Sequence, residues 1–383
     1  MAEISEKGQS RTSSARENAS PNWLFVSHTA APGGGDLALA RYLSESRRRD
    51  LGLLAFQDGP IWDRVRDNSV QIEVLQNKRN SLLLSVFELR RRLKAHQASF
   101  VVANSMRVAL VLAVICPRKH MIGYWVRDGL VKGSSSYVAR FLTRNITLNR
   151  TLFCLANSNW TASTVLAMKK SMDVHLVYSP SGLSSETETL KKSYGSPVNL
   201  IYLGRIAPWK GVDVAIDAVA TLNDGHKEAK FNLDIAGTSW FGEDKYMRLI
   251  EHKAERDPNV RLLGHVDDVK KLLTNYDGLL HCSTSPEPFG QVIVQGMAAG
   301  LIVFATEGGG PEEIVDNGAN GVLVAAGNPE LLAAKISSVF SNRMAVDRLR
   351  VGAQARSKAF SDRTLVLAID AVLSEIEESH ERN

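Results

Sequence analysis

Residues Ser285–Gly300 have the sequence SPEPFGQVIVQGMAAG, and this stretch decides the fold. It follows an apolar run, Gly278–Cys282, of the kind that forms a buried strand. Its prolines predict a loop, and Gln291–Ala299 then predicts a helix with an apolar face. Glu287 is therefore expected between a strand and the N-terminus of a helix, where free backbone N–H groups suit a phosphate or a sugar hydroxyl.

The same order of strand and helix recurs on both sides of this stretch. Short apolar runs alternate with helical patterns, which is typical of parallel βα units. A polar, strand-free segment at 181–196 divides these runs into two halves and predicts a linker. We therefore expect an α/β fold of two doubly wound, Rossmann-like domains that face each other across a cleft. The predicted strands are Asn22–His28, Leu51–Phe56, Val70–Leu75, Ser99–Ala103, His120–Val126, Leu152–Asn157 and Val174–Tyr178, then Val198–Leu203, Phe231–Ala236, Asn259–Leu263, Gly278–Cys282, Leu301–Ala305 and Gly321–Val324.

The composition is that of a soluble globular protein. The chain has 383 residues, which favours two domains, and 44% of them are hydrophobic and 23% charged. A net charge of +5 is too mild for a dedicated nucleic-acid binder and fits an anionic ligand or loose contact with an anionic membrane. Residues 1–21 lack the apolar core of a signal peptide and predict a disordered tail. The longest apolar run, Val108–Cys116, is shorter than the roughly 20 residues that span a bilayer.

The cysteines and histidines do not indicate a metal or redox centre. All three cysteines lie in apolar runs and no CxxC pair occurs, so we expect buried, inert thiols and a cytoplasmic location. His265 and His281 stand isolated in the sequence, so no metal is expected. The cysteines are Cys116, Cys154 and Cys282.

A glycine-rich loop follows the first predicted strand. Residues 29–36 (TAAPGGGD) precede a predicted helix, Leu37–Ser46, and this order brings a backbone close to a phosphate. The loop is not GxGxxG, and the chain has no Walker A pattern, so neither a dinucleotide nor an ATPase is indicated. A tight turn without a ligand is the alternative.

Two further loops of the second half carry candidate ligand groups. Arg205 and Lys210 follow the strand that ends at Gly204, where two cations can clamp a diphosphate, although solvated loop charges are the alternative. Residues 308–310 are a glycine triplet after the strand Leu301–Ala305, and they allow a backbone to approach a ligand closely.

These motifs together resemble one family. The segments GRIAPWKG at 204–211, SPEPFGQVIVQGMAAG at 285–300 and GGGPEEIVDNG at 308–318 are similar to those of the retaining GT-B glycosyltransferases of family four. The resemblance covers 22–380 and is strongest in the second half. It implies transfer of a sugar from a nucleotide-diphosphate sugar to a saccharide or lipid-linked acceptor, in the synthesis of cell-surface polysaccharide or glycolipid. It implies neither a metal nor another cofactor.

The resemblance also implies roles for individual residues. Arg205 and Lys210 would bind the donor diphosphate and stabilise the leaving group, and Glu287 would contact the hydroxyls of the donor sugar. Asp128 and Arg127 would contact acceptor or donor, with a local ion pair as the alternative. The implied donor-binding residues are Gly33 and Gly34 over the phosphates, Gly204, Pro288, Phe289 and Gly290 in the loops that face the donor, Gly264, His265 and Val266 beside the nucleobase, and Gln295 at the ribose.

Two positions depart from the family pattern. Gln295 replaces the second acid of the motif, and an amide can still accept a hydrogen bond from a ribose hydroxyl. Trp125 stands on the acceptor side, where relatives often carry a histidine before Val–Arg–Asp. These departures leave a catalytically degenerate protein, which binds nucleotide or a partner enzyme, as one alternative function. A nucleotide-sugar epimerase on the same fold is another.

The resemblance also implies how the chain is divided. The expected parts are a tail (1–21), an N-terminal acceptor domain (22–180), a linker (181–196), a C-terminal donor domain (197–361) and a final helix (362–383) that returns to the first domain. Basic patches at Arg47–Arg49 and Arg90–Lys94 favour a lipid-linked or membrane-adjacent acceptor and peripheral contact with the inner face of a membrane, with a solvated basic face as the alternative for the helix that carries Arg90–Lys94.

Overall fold

The structure is a computed structural model that describes residues 21–31, 33–68, 70–75, 82–131, 136–183, 195–224, 230–239 and 242–382. Of the predicted disordered tail, residues 1–20 lie outside the described residues, as do residues 184–194 of the predicted linker. No helix in the described ranges has both the length and the apolar character needed to cross a bilayer.

The first half of the chain forms a parallel sheet of seven strands in the order β3-β2-β1-β4-β5-β6-β7. The five inner strands are buried on both faces of the sheet, which explains why their sequences show continuous apolar runs rather than alternation, and the edge strands β3 and β7 are partly exposed. The strands are β1 (Trp23–Ser27), β2 (Leu51–Ala55), β3 (Gln71–Val74), β4 (Phe100–Ala103), β5 (Met121–Val126), β6 (Phe153–Ala156) and β7 (Asp173–Leu176); the helices are α1 (Gly34–Glu45), α2 (Asp63–Asp67), α3 (Leu82–Ala95), α4 (Met106–Ile115), α5 (Tyr137–Leu142), α6 (Leu148–Arg150) and α7 (Asn159–Met168), with a π-helical segment, Thr143–Thr147, between α5 and α6.

The second half forms a parallel sheet of six strands in the order β10-β9-β8-β11-β12-β13. This is the strand order of a dinucleotide-binding fold, in which ligands bind where the order reverses, here between β8 and β11. The strands are β8 (Val198–Leu203), β9 (Phe231–Ala236), β10 (Val260–Gly264), β11 (Gly278–His281), β12 (Ile302–Thr306) and β13 (Val322–Val324); the helices are α8 (Val212–Asn223), α9 (Asp244–Glu255), α10 (Val269–Leu273), α11 (Gln291–Ala298), α12 (Pro311–Ile314), α13 (Pro329–Phe340), α14 (Arg343–Ser357) and α15 (Asp362–Glu381).

The predicted α/β class is confirmed, and each predicted strand is present with its ends within two residues. Helices α3, α4, α6 and α7 pack on one face of the first sheet, and α1 and α15 pack on the other. In α15, Ile369 and Leu373 lie in the same apolar cluster as Trp23 of β1. The last helix of the chain therefore covers the first sheet.

The three cysteines are buried and form no disulfide. Burial raises the pKa of Cys116 to about 11, and it raises the pKa of Cys154 and of Cys282 to about 12. All three therefore remain protonated near neutral pH, as inert core thiols do.

Candidate functional site

Glu287 lies in the loop between β11 and α11, as the sequence predicts, and its carboxylate is held by three groups. Lys210 Nζ donates to Glu287 Oε2 at 2.5 Å, Ser283 Oγ donates to the same oxygen at 2.9 Å, and His281 Nε2 lies 3.3 Å away. Burial alone would raise the pKa of Glu287, but the Lys210 charge and the His281 hydrogen bond outweigh it and hold the pKa well below its usual value. The carboxylate is therefore ionised and pre-oriented.

The acid loop is held against the glycine triplet that follows β12. Gly310 N donates to Glu287 O at 2.8 Å, and a Cβ built on Gly309 would lie 2.2 Å from the same oxygen. Gly309 also has a φ of +88°, which favours glycine. The sequence predicted that this triplet approaches a ligand; in the structure the backbone that it approaches is that of the acid loop.

The predicted clamp lies on the loop after β8, directly beside the acid loop. A Cβ built on Gly211 would lie 2.1 Å from Cys282 O, so only glycine allows this approach. Trp209 lies between the two cations, with its ring centroid 4.2 Å from Lys210 Nζ and 5.7 Å from Arg205 Cζ. Lys210 and Glu287 thus meet at the point where the strand order reverses.

Arg205 has an acidic neighbour that the sequence reasoning missed. Its Nε lies 3.9 Å from Oε2 of Glu243, the residue that precedes α9. Nothing in the sequence pattern near Glu243 marks it, because the contact joins two loops that are almost forty residues apart. Trp209 was also missed, although it lies inside the GRIAPWKG segment.

Asp128, after β5, faces this cluster from the other domain. Its side chain is exposed, yet the protein packed around it raises its pKa by desolvation, and the charge of Glu287 raises it further. Arg205 and Lys210 act in the opposite direction. These charges influence each other because the structure brings the four residues implied as catalytic to one place between the two sheets.

Arg127 is buried instead of lying open to an acceptor. Its guanidinium donates twice to Asn104 Oδ1, at 3.2 and 3.0 Å, and once to Ser179 Oγ at 2.9 Å. Asn104 Nδ2 in turn donates to Asp36 Oδ1 at 3.0 Å. Burial lowers the pKa of Arg127, and the charges of Asp36 and Asp128 oppose this. Arg127 therefore belongs to a polar network beneath the first glycine loop.

Trp125 does not lie on the acceptor side. Its side chain is 0% exposed and packs against Phe25 and Tyr42, with the Arg127 guanidinium 3.8 Å from its ring centroid. Successive residues of a strand point to opposite faces, and this position points into the core between β5 and α1. The burial contradicts the prediction that Trp125 meets an acceptor.

The first glycine loop meets the N-terminus of α11 across the cleft. Gln291 Nε2 donates to Gly34 O at 2.9 Å, and Arg41 Nη1 donates to Gln291 Oε1 at 3.2 Å. Gly33 precedes α1 with extended backbone, and Gly290 precedes α11 with a φ of +104°. The two helix N-termini that the sequence singled out are therefore neighbours.

The side chain of Gln295 makes a contact between the domains. Its Nε2 donates to Ser181 O at 2.7 Å, directly after the first domain. Phe289 is also committed to packing, because its ring is buried against Tyr178 and Phe360 and leaves only its backbone to face a ligand. Pro288 O accepts a hydrogen bond of 3.4 Å from Thr161 Oγ1 of α7.

The remaining implied donor residues lie at the carboxyl ends of neighbouring strands. Gly204 follows β8, and a Cβ built on Gly237 after β9 would lie 1.8 Å from Gly204 O. Gly264 ends β10 and accepts a hydrogen bond of 2.8 Å from Gly237 N. His265 is exposed and pairs with Asp267, while Val266 packs against the core of the second sheet.

Comparisons with known proteins identify related sequences for the second half of the chain. Residues 187–358 match the family model described as Glycosyl transferases group 1. The uncharacterized glycosyltransferase MJ1178 of Methanocaldococcus jannaschii is 32% identical over 180 residues, which cover 46% of this chain and 48% of that protein. Spore coat protein SA of Bacillus subtilis is 26% identical over 170 residues, which cover 43% and 44%. The chain thus spans about half the length of the curated relatives that it matches.

Solved structures are similar over nearly the whole chain. Anabaena HepE in complex with UDP and glucose has a TM-score of 0.80 at 24% identity, covering 92% of this chain and 99% of that one. A glycosyltransferase of Rickettsia africae has a TM-score of 0.73 at 16% identity, covering 93% and 98%. Together with the two parallel sheets, these likenesses show that the chain has the two-domain GT-B fold of glycosyltransferases and that its second half carries the Glycosyl transferases group 1 match.

Proposed function

We propose that the chain is a retaining glycosyltransferase of family four that transfers a sugar from a nucleotide-diphosphate sugar to a saccharide or lipid-linked acceptor. The observation that carries this proposal is the convergence of Arg205, Lys210, Glu287 and Asp128 between the facing ends of two sheets. Structures of the similar protein HepE with UDP and glucose, and with UDP-glucose, support a UDP-sugar as the donor. The proposed setting is the synthesis of cell-surface polysaccharide or glycolipid in the cytoplasm.

The donor would bind where the second sheet reverses its strand order. Its diphosphate would meet Arg205 and Lys210, and its sugar hydroxyls would meet Glu287 near the N-terminus of α11. The ion pair between Lys210 and Glu287 keeps both side chains near these positions without a ligand. Donor binding would exchange that pair for contacts with phosphate and sugar.

The chemistry would then rest on stabilising the leaving group. In a transfer that retains the anomeric configuration by front-face departure, the acceptor oxygen arrives on the face of the sugar from which the nucleotide diphosphate leaves. Arg205 and Lys210 would oppose the charge that grows on the leaving phosphate, an effect worth about 3 kcal/mol for each such group. The leaving phosphate can take the acceptor proton. The proposed reaction therefore does not need a histidine base at the position where this chain has Trp125. Asp128 would orient the acceptor from the first domain.

The expected absence of a metal stays a prediction. Within the described residues, no group of three or more His, Cys, Asp or Glu side chains could hold a metal ion. The proposed chemistry assigns the neutralisation of the diphosphate to the two cations of the clamp instead.

The test joins binding to product analysis. A thermal-shift screen of nucleotides and nucleotide sugars should single out one base and one sugar, because a ligand that binds only the folded state raises Tm. Proton NMR of the product formed with that donor should show the anomeric configuration of the donor sugar. An inverted product would contradict retention. Binding without turnover across acceptors would favour the degenerate protein, and a changed sugar released without an acceptor would favour the epimerase.

A further inference from the structure

The first domain has a strong asymmetry of charge. Residues 89–172 contain 14 of the 46 Lys and Arg residues of the chain and only one of its 41 acids, Asp128. The rest of the chain therefore has 32 cations and 40 acids, so the mild net charge of +5 is the sum of a basic region and an acidic remainder. The basic region 89–172 includes the second half of α3 and all of α4 to α7.

The same region exposes large apolar side chains. Their exposed fractions range from 36% for Ile146 to 84% for Tyr137. Single exposed apolar residues are ordinary, but several on adjoining elements mark a surface that contacts a partner. We call this set the docking face: Leu84 and Phe87 of α3, Val114 of α4, Tyr137, Val138 and Phe141 of α5, and Ile146 of the π-helical segment.

The elements of the docking face form one continuous layer. Helices α3, α4 and α6 contribute to a single apolar cluster on one face of the first sheet, so their opposite sides point outward together, and the π-helical segment packs against both α4 and α5. Their ends are also joined: Arg90 Nη1 donates to Ile115 O at 3.4 Å, Arg150 Nη2 donates to Cys116 O at 3.4 Å, and Lys119 Nζ donates to His96 O at 2.6 Å. The outward sides of these elements therefore form one continuous surface.

Some cations of the basic patches predicted from the sequence are neutralised by ion pairs. Glu88 accepts hydrogen bonds from Arg91 at 2.6 Å and from Arg92 at 2.8 Å, and Arg48 pairs with both Asp50 and Glu377 at 2.7 Å. The membrane contact predicted at Arg47–Arg49 and Arg90–Lys94 stays a prediction, and the docking face adds apolar side chains beside the second of these patches. The exposed arginines of the acid-free stretches are Arg90, Arg91, Arg107, Arg118 and Arg144, and Arg144 follows Phe141 by three residues, on the π-helical segment of the docking face.

We propose that the docking face binds the surface of a lipid bilayer that contains anionic phospholipid. Aromatic and aliphatic side chains interleaved with arginine suit the boundary between headgroups and acyl chains, because the apolar side chains enter the lipid while the guanidinium groups stay among the phosphates. A nucleic acid would favour the arginines but not the exposed Val and Ile. Charge complementarity therefore favours a bilayer as the occupant.

This orientation would place the bilayer beside the cleft. Helix α5 follows the carboxyl end of β5, where Asp128 lies, and Tyr137 is nine residues further along the chain. A lipid-linked acceptor could then present its head group to Asp128 while its lipid stays in the membrane, an extension that rests on the proposed function. Membrane binding itself does not depend on it.

Flotation with vesicles tests the proposal on the full chain. The wild type should float with mixed phosphatidylglycerol–phosphatidylcholine vesicles and not with pure phosphatidylcholine vesicles. The triple variant Phe87→Ser, Tyr137→Ser, Phe141→Ser should lose binding by roughly tenfold or more, because it removes three lipid-facing side chains. Arg144→Glu should lower binding by a similar factor, since it replaces an attractive charge with a repulsive one.

Matched controls come from α14 and α15. The triple variant Met344→Ser, Val351→Ser, Leu367→Ser removes three similarly exposed apolar side chains outside the docking face, and Arg348→Glu reverses an exposed arginine of α14. Both controls should bind as the wild type does. Equal loss in the controls, equal flotation with neutral vesicles, or no flotation with anionic ones would overturn the proposal, as would binding of a DNA duplex in place of vesicles. The thermal shift caused by nucleotides is read separately, so failure of one proposal is distinguishable from failure of the other.

Discussion

Lys210 and Glu287 form a buried ion pair between two loops of the second domain. The sequence placed both residues in ligand-binding loops, but it did not indicate that they would pair with each other or that His281 and Ser283 would share the carboxylate. Lys210 comes close to Glu287 only when β8 and β11 lie side by side in the sheet, whereas His281 and Ser283 reach the carboxylate through the conformation of the loop after β11. The loop in which each residue lies was predictable from the sequence, but the ion pair between them was not.

Removing the lysine should damage both activity and stability. Lys210→Ala should lower kcat at least a hundredfold, because it removes a cation that faces the leaving phosphate. It should also lower the free energy of unfolding by about 3–5 kcal/mol, since Glu287 is left buried without its cation. Urea unfolding and steady-state kinetics measure the two effects.

A double variant separates these effects. Lys210→Met combined with Glu287→Gln removes both charges, so stability should recover toward that of the wild type while activity stays low. Recovered activity in the double variant would show that the pair has a structural role only.

The ion pair should also affect how stability depends on pH. The pKa of Glu287 is lower in the folded protein than its usual 4.5, so the unfolded chain binds this proton first. The stability that the carboxylate contributes is therefore fully present above pH 4.5 and is lost as the pH falls further. The difference in free energy of unfolding between wild type and Glu287→Gln should be constant near neutral pH and shrink in acid; a difference independent of pH would contradict this.

At the scale of elements, Glu313 of α12 caps a helix of the other domain. Its carboxylate accepts hydrogen bonds from the backbone N–H groups of Asn159 and Trp160, both at 2.9 Å, and from Tyr178 Oη at 3.2 Å. Acids in the first turn of a helix ordinarily stabilise that helix, and Glu312 and Glu313 stand in the first turn of α12. The pattern was the expected one, but the helix that Glu313 stabilises is α7.

Glu313→Ala should weaken the contact between the domains. Loss of a cap typically costs about 1 kcal/mol, and here the cost should appear as faster hydrogen exchange at the start of α7. Glu312→Ala is the matched control, since Glu312 accepts a hydrogen bond of 3.2 Å from Gly308 N of the neighbouring loop. Equal exchange rates at α7 in both variants would argue against a cross-domain cap.

The glycine triplet offers a second test at this scale. Gly309→Ala should cost about 2–5 kcal/mol and reduce donor binding, because it adds both a left-handed strain and a clash with the acid loop. Gly318→Ala isolates the strain, since Gly318 has a φ of +79° and its Cβ would meet nothing within 4 Å. It should cost only about 1–2 kcal/mol and leave binding intact. Denaturation and nucleotide titration compare the two.

At the scale of the whole molecule, repeated local patterns predicted the architecture well. Parallel strands have apolar runs, and each loop after a strand falls at the same edge of its sheet. Contacts between the halves were not predictable from such patterns. Gln295 donates a hydrogen bond to Ser181, and Trp125 is buried in the core. Both environments form only when segments that are distant in the sequence come together.

Helix α15 shows that a segment from the end of the sequence can stabilise the first domain. Leu373→Ala should lower the stability of the first domain by about 2–5 kcal/mol, although the residue lies near the end of the chain, because it leaves a cavity against β1 and α1. Leu367→Ala, at an exposed position of the same helix, should change stability little. Equal effects of both variants on the unfolding of the first domain would show that α15 is not part of its core.

The unequal division of charge has one further consequence. A molecule with a basic layer on one side and an acidic remainder has a large electric dipole moment, and a charged surface exerts a torque on it. Within about 8 Å of such a surface at physiological ionic strength, the molecule turns before any side chain makes contact. The orientation in which it arrives is then set by long-range electrostatics, and its rate of arrival should fall steeply as salt is added.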